Sequence, residues 1–196
     1  MTAYLFVKRK ESVQIYQDTL VSDLSDPAHA SLGRAEKIRY VDYLNCAVCG
    51  AGALFFTDAA HKAILINNAY DIEEAGEIVS YFTRKYLREI PEAHDVKIQL
   101  YVLGVNPQSG LSDGYAITET GRYEPVRIGN GMCVNNVGFR LRTYLGRPIL
   151  PNHEEAAGFL LGLDPEFRNE AGIGGDLMWA TINRDGFSMT KAGIFP

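Results

Sequence analysis

Cysteine is scarce in this chain, with three among 196 residues. So small and odd a number builds no disulfide framework at this size. It points to a reducing compartment and, by default, to the cytoplasm. Basic charge is not in excess either: 19 Lys and Arg stand against 24 Asp and Glu, a formal net charge of −5. Neutralising phosphates takes clustered cations. The densest run, Lys8-Arg9-Lys10, is followed at once by Glu11 and reads as a solvated hairpin end. Nucleic acid is therefore not an expected partner. Long apolar runs are missing too. None approaches the roughly 20 residues that span a bilayer, so no membrane association is expected. Ala3 to Val7 is too short for a signal-peptide core, and its basic residues follow it rather than precede it. There is no Gly-x-Ser-x-Gly elbow, no P-loop and no His-Glu-x-x-His.

What is present is an ordinary globular composition, 46% hydrophobic and 22% charged. Residues 1–196 read as a single domain that buries roughly 70% of the surface its unfolded form exposes. Residues 3–8 and 12–17 alternate as strands. Residues 22–33 are rich in turn formers and read as a loop. From Ala35 the apolar residues Ile38, Val41, Leu44 and Val48 recur at three and four, a helical stripe leading into Cys46–Ala53. Ala63 to Asn67 is a short strand candidate. Between Asp71 and Ile90 lies the clearest helix. Asp71 and Glu74 form a capping-box pattern, acids crowd its first turns and bases its last, and Pro91 stops it. Strands follow at 96–105, 114–119, 123–128 and 134–145. A helix capped by Asn152 and Glu155 ends at Gly162. The pair 177–182 and 187–190 is joined through Asp185-Gly186. Segregated hairpins with two or three packed helices define an α+β fold, mostly antiparallel.

Chemistry is thinly signalled. Cys46 and Cys49 have the spacing of redox pairs and zinc knuckles, but both readings lack their usual company. A redox pair needs a strand before it and a helix N-terminus beneath it to lower the thiol pKa. Structural zinc needs four ligands, and a second knuckle is missing. Cys133 with His61, His94 or His153 would complete a set only through tertiary coincidence. The reading with most support makes Cys46, Cys49, Gly50 and Ala53 the small face of a buried helix. No metal and no cofactor is expected. A nucleophilic cysteine would need a histidine and an orienting group. Cys46, Cys49 and Cys133 are the thiols on offer, with Asn135, Asn136 and His153 as possible companions to Cys133.

Arg140 and Arg142 share one face of the 134–145 strand, with Arg147 beyond and Arg127 on the preceding strand. Such a cluster can hold a phosphate or carboxylate by bidentate contacts, or be neutralised by Asp113, Glu119 and Glu124. The Gly172–Asp176 loop is a phosphate-cradle candidate that lacks a following Lys, and reads better as a flexible connection. The best-fitting function is then a non-catalytic assembly or partner-binding protein, a homo-oligomer or a binder of another protein. Apolar end segments and an aromatic-rich composition of 11 Tyr and 9 Phe suit such interfaces. The alternative is a ligand-binding protein or enzyme acting on a phosphorylated or acidic small molecule through the arginine strand and a cysteine.

Overall fold

The computed structural model describes residues 2–22, 31–52, 54–89, 97–135 and 150–196, without the side chains of Cys133 and Asn135. Two antiparallel five-stranded sheets pack face to face. One runs β10-β1-β2-β11-β12, from Met132–Asn135 (β10), Tyr4–Lys8 (β1), Val13–Asp18 (β2), Asp176–Asn183 (β11) and Gly186–Ile194 (β12). The other runs β5-β6-β7-β8-β9, from Arg39–Val41 (β5), Cys46–Ala51 (β6), Gln99–Val105 (β7), Ser112–Thr118 (β8) and Pro125–Arg127 (β9). A small ribbon pairs Leu20–Ser22 (β3) with Ser31–Arg34 (β4).

Phe6, Val13, Ile15, Ala47, Cys49, Leu103 and Ile182 fill the layer between the sheets. Helices α1 (Leu54–Asn67) and α2 (Ile72–Glu89) cover the outer face of the second sheet. Helices α3 (His153–Leu161) and α4 (Pro165–Ala171) cover the outer face of the first. The order of layers is therefore helix, sheet, sheet, helix. Strand β1 lies between two neighbours and is covered on both faces, and it is buried at every position, Lys8 included. Burying each such Leu or Phe contributes about 1.5–3 kcal/mol. The α+β, antiparallel architecture is the one the hairpin pattern implies. Among the described residues no helix is long and apolar enough to cross a membrane.

The helix between residues 71 and 90 stands as expected. Asp71 Oδ1 accepts from the Glu74 N–H at 2.8 Å, and Glu74 Oε2 accepts from the Tyr70 N–H. Glu74 thus reaches one residue past the cap, whereas Asn152 and Glu155 close a full capping box, each accepting the other's N–H at 2.9 Å.

Three local expectations are corrected. Cys46–Ala51 is a strand, not a helix. The three-and-four spacing from Ile38 to Val48 comes from a hairpin whose connection is a 3-10 turn, Asp42–Leu44, closed by Asn45 at φ 49°. That turn resets the alternation, so residues on two strands mimic a helical stripe. Ala63–Asn67 is the last part of α1, whose buried Phe56, Ala60 and Ile64 recur at four. Its outward face is apolar too, which hid the period. The loop expected over 22–33 includes strand β4. The strand expected over 134–145 lies mostly outside the described residues, as do His29, Ala53, His94, Asn136, Arg140, Arg142 and Arg147.

Candidate active site

Four chain segments meet at one end of the sandwich: the residues before β1, the end of β2, the approach to β5 and the end of β6. The first supplies Thr2, 5% exposed, and the second Asp18, 1% exposed. Lys37 comes from the third. Continuing the β5–β6 register, in which Arg39 pairs with Val48, by two residues puts Lys37 across from Gly50.

Lys37 Nζ donates to Thr2 Oγ1 at 3.0 Å and to Asp18 Oδ1 at 3.1 Å. Asp18 in turn accepts from the Ala3 N–H at 2.9 Å and the Gly174 N–H at 3.4 Å. Burial disfavours both charges, lowering the Lys37 pKa and raising that of Asp18, while each ion opposes the shift of the other. Two backbone N–H donors on the carboxylate keep the proton on the lysine side of the pair. A buried Thr hydroxyl therefore rests against a buried, oriented ammonium group.

Thr2 and Lys37 also border a cavity of about 210 Å³. Leu20, Val21, Leu32 and Leu54 give it apolar walls, and Gly50 and Gly52 leave its rim without side chains. Gly50 is required by close packing: a Cβ there would stand 2.0 Å from the Gln99 carbonyl oxygen. The Gly172–Asp176 loop, read from sequence as a flexible connection, is the wall behind Asp18. It places the Gly174 N–H on that carboxylate, and Gly174 O accepts from the Leu20 N–H.

The residues singled out by sequence lie elsewhere. Cys46 and Cys49 are fully buried on opposite faces of β6, one in the helix-side core and the other between the sheets. Burial pushes both thiols up to about 12. The packing role expected of the pair fits this placement, though on a strand. Cys133 sits on β10, paired with Val7. His153 starts α3, with Nδ1 3.2 Å from the Tyr16 hydroxyl and its ring against Trp179. Arg127 is paired bidentately with Asp113, both contacts at 3.0 Å. No motif of fixed spacing joins Thr2, Asp18 and Lys37. The signal they leave in the sequence is Asp18 at the end of one alternating segment and Lys37 just before Ile38 at the start of another.

No protein-family model matches the chain, and no curated protein does. Among solved structures the chain is similar in fold to the Anbu (Gly-1) mutant from Hyphomicrobium sp. strain MC1. It superimposes with a TM-score of 0.72 at 14% identity, covering 100% of this chain and 87% of that chain. At that identity the likeness is one of fold.

Proposed function

We propose that the chain is an amide hydrolase whose nucleophile is Thr2, exposed as an N-terminal residue when the Met1–Thr2 bond is cut. The observation that carries the reading is the Thr2–Lys37–Asp18 chain of hydrogen bonds at a cavity wall. A threonine hydroxyl is a weak nucleophile until a neighbouring base takes its proton, and an N-terminal amine on the same residue can be that base. The Lys37 ammonium already donates to Oγ1, so its role is to stabilise the developing alkoxide. The freed α-amine takes the proton as Oγ1 bonds to the amide carbon, and passes it to the departing nitrogen. The C–N bond breaks, leaving an ester on Thr2. Water, deprotonated by the same amine, then cleaves that ester to a carboxylic acid and restores the hydroxyl. Negative charge on the carbonyl oxygen calls for backbone N–H donors, which we place along Gly50–Gly52. The apolar walls at Leu20, Leu32 and Leu54 suit an aliphatic side chain on the acyl side of the bond.

The test uses a peptidyl aminomethylcoumarin with leucine at the acyl position, together with the mass of the N-terminus. Hydrolysis by the Met1-free protein, lost in Thr2→Ala, is expected. Periodate, which cleaves an N-terminal amino alcohol, should shift the mass of the processed form only. A Met1-free protein without hydrolysis or acylation at Thr2 overturns the reading.

A specific observation also favours self-association. Ile66 on α1, Tyr70 in the turn that follows it and Tyr81 on α2 are 82%, 79% and 65% exposed. Tyr81 borders a groove of about 370 Å³ between the helices that includes Ala63, Phe82 and Lys85. Acids Glu73, Glu74 and Glu77 lie early in α2, and bases Arg84, Lys85 and Arg88 late. A second copy related by a two-fold axis would run its α2 antiparallel and set acids against bases. Native mass spectrometry should find a dimer or a higher even multimer, reduced to monomer by Ile66→Glu with Tyr81→Glu. A monomeric wild-type protein at high concentration removes this reading. We infer a reducing compartment such as the cytoplasm from the scarcity of cysteine, three among 196 residues.

A further inference from the structure

Val13, Ile15 and Gln17 share one face of β2, and the first two lie in the apolar layer between the sheets. Gln17 is thus a polar residue at a core position, 1% exposed. Its Nε2 crosses to the other sheet and donates to the Gly50 carbonyl at 2.5 Å. Its Oε1 is buried and has no hydrogen-bond partner among the described residues. A half-satisfied amide in an apolar layer costs stability that Leu or Met at the same place would not. Departures of this kind from core patterning gather where function requires them.

The function at hand is the wall of the cavity. Gly50 borders it beside Thr2. Having no side chain, Gly50 depends on hydrogen bonds to fix its peptide planes. On one side Gly50 is paired with Leu100 of β7, but the pairing of β5 with β6 ends at Arg39 and Val48, so on the other side no β5 residue is paired with it. The Gln17 amide reaches Gly50 from β2, one residue before Asp18, and so joins the wall to the strand that orients Lys37.

We propose that Gln17 is a positioning residue: it holds the Gly50 backbone at the cavity wall in the orientation that the Thr2 reaction uses. The proposal rests on the hydrolase reading above. Gln17→Leu removes the donor and keeps the volume. With the leucyl aminomethylcoumarin peptide, kcat should fall about 10- to 100-fold, the scale of a small misplacement in a reacting site, with KM unchanged. The thermal midpoint should hold or rise, since an unsatisfied amide is removed. The Gly50 carbonyl 13C signal, read in the intact protein, should shift upfield as its side-chain donor is lost. A merely structural glutamine would lower the midpoint and leave kcat alone. If Gln17→Leu does not fold, Gln17→Met, equally long and without a donor, carries the same measurements. Wild-type kcat in a folded variant, or an unmoved Gly50 signal, overturns the role of Gln17. A wild-type protein that neither hydrolyses the peptide nor acylates at Thr2 with a β-lactone overturns the hydrolase reading instead, and the carbon signal still reports on the hydrogen bond.

Discussion

Lys37 Nζ stands 3.0 Å from Thr2 Oγ1 and 3.1 Å from Asp18 Oδ1. Removing the amine therefore does two things at once. Lys37→Ala should abolish peptide hydrolysis, because it removes the ammonium that donates to Thr2 Oγ1. It should also destabilise the fold by about 3–5 kcal/mol, the cost of leaving a buried charge without its partner. Thr2→Ala should remove activity while leaving the ion pair, and therefore the unfolding midpoint, nearly as it was. Chemical denaturation beside the activity assay separates the two effects.

The hydrolysis rate should follow a bell in pH. The acid limb belongs to the freed Thr2 amine, which must lose its proton to act as the base. The alkaline limb belongs to Lys37. Burial lowers its pKa below the ordinary 10.5, so the limb arrives earlier than an exposed lysine would give. In Lys37→Arg the charge persists throughout, and the alkaline limb should disappear while the acid limb stays. Profiles of kcat/KM for the two proteins check this, and an unmoved alkaline limb in the arginine variant counts against Lys37.

The α+β, antiparallel class was legible in the sequence; the stacking of two sheets and the site were not, for physical reasons that particular residues show. Helix α2 announces itself because its cap, its charge order and its stripe are all local. The β5–β6 hairpin misleads because Asn45 turns the chain where a helix would continue, and the spacing of Val41, Leu44 and Val48 carries no record of that turn. Thr2, Asp18 and Lys37 are separated by 15 residues or more, so only the folded sheets bring them together. The small residues at 46–50 were read for the right property in the wrong element. Gly50 is small because Gln99 leaves it no room.

Cys46 and Cys49 should behave as core residues. Burial raises each thiol from an ordinary 9.0 to about 12. At pH 8 both should resist iodoacetamide in the native protein and react only on unfolding. The unfolded thiols ionise near 9, so this contribution to stability is whole below that pH and lost as pH rises toward 12. Rapid alkylation of either thiol in the folded protein would show that β6 opens.

Gly50→Ala tests the cavity wall without touching a charged group. The new Cβ would meet the Gln99 carbonyl oxygen at 2.0 Å, and backbone cannot yield as a flexible side chain does. Strand β6 must then move away from β7, at a cost of about 1–3 kcal/mol. That motion carries the Gly50 carbonyl away from Gln17 and the rim away from Thr2. Hydrolysis should therefore fall much further than stability does. Gly104→Ala is the matched control, because its Cβ would meet Cys46 Cβ at 2.5 Å elsewhere on the same pair of strands. It should lose stability to a similar extent and keep more of its activity. Equal losses of activity in the two variants would mean that strand packing, and not the rim at Gly50, governs the rate.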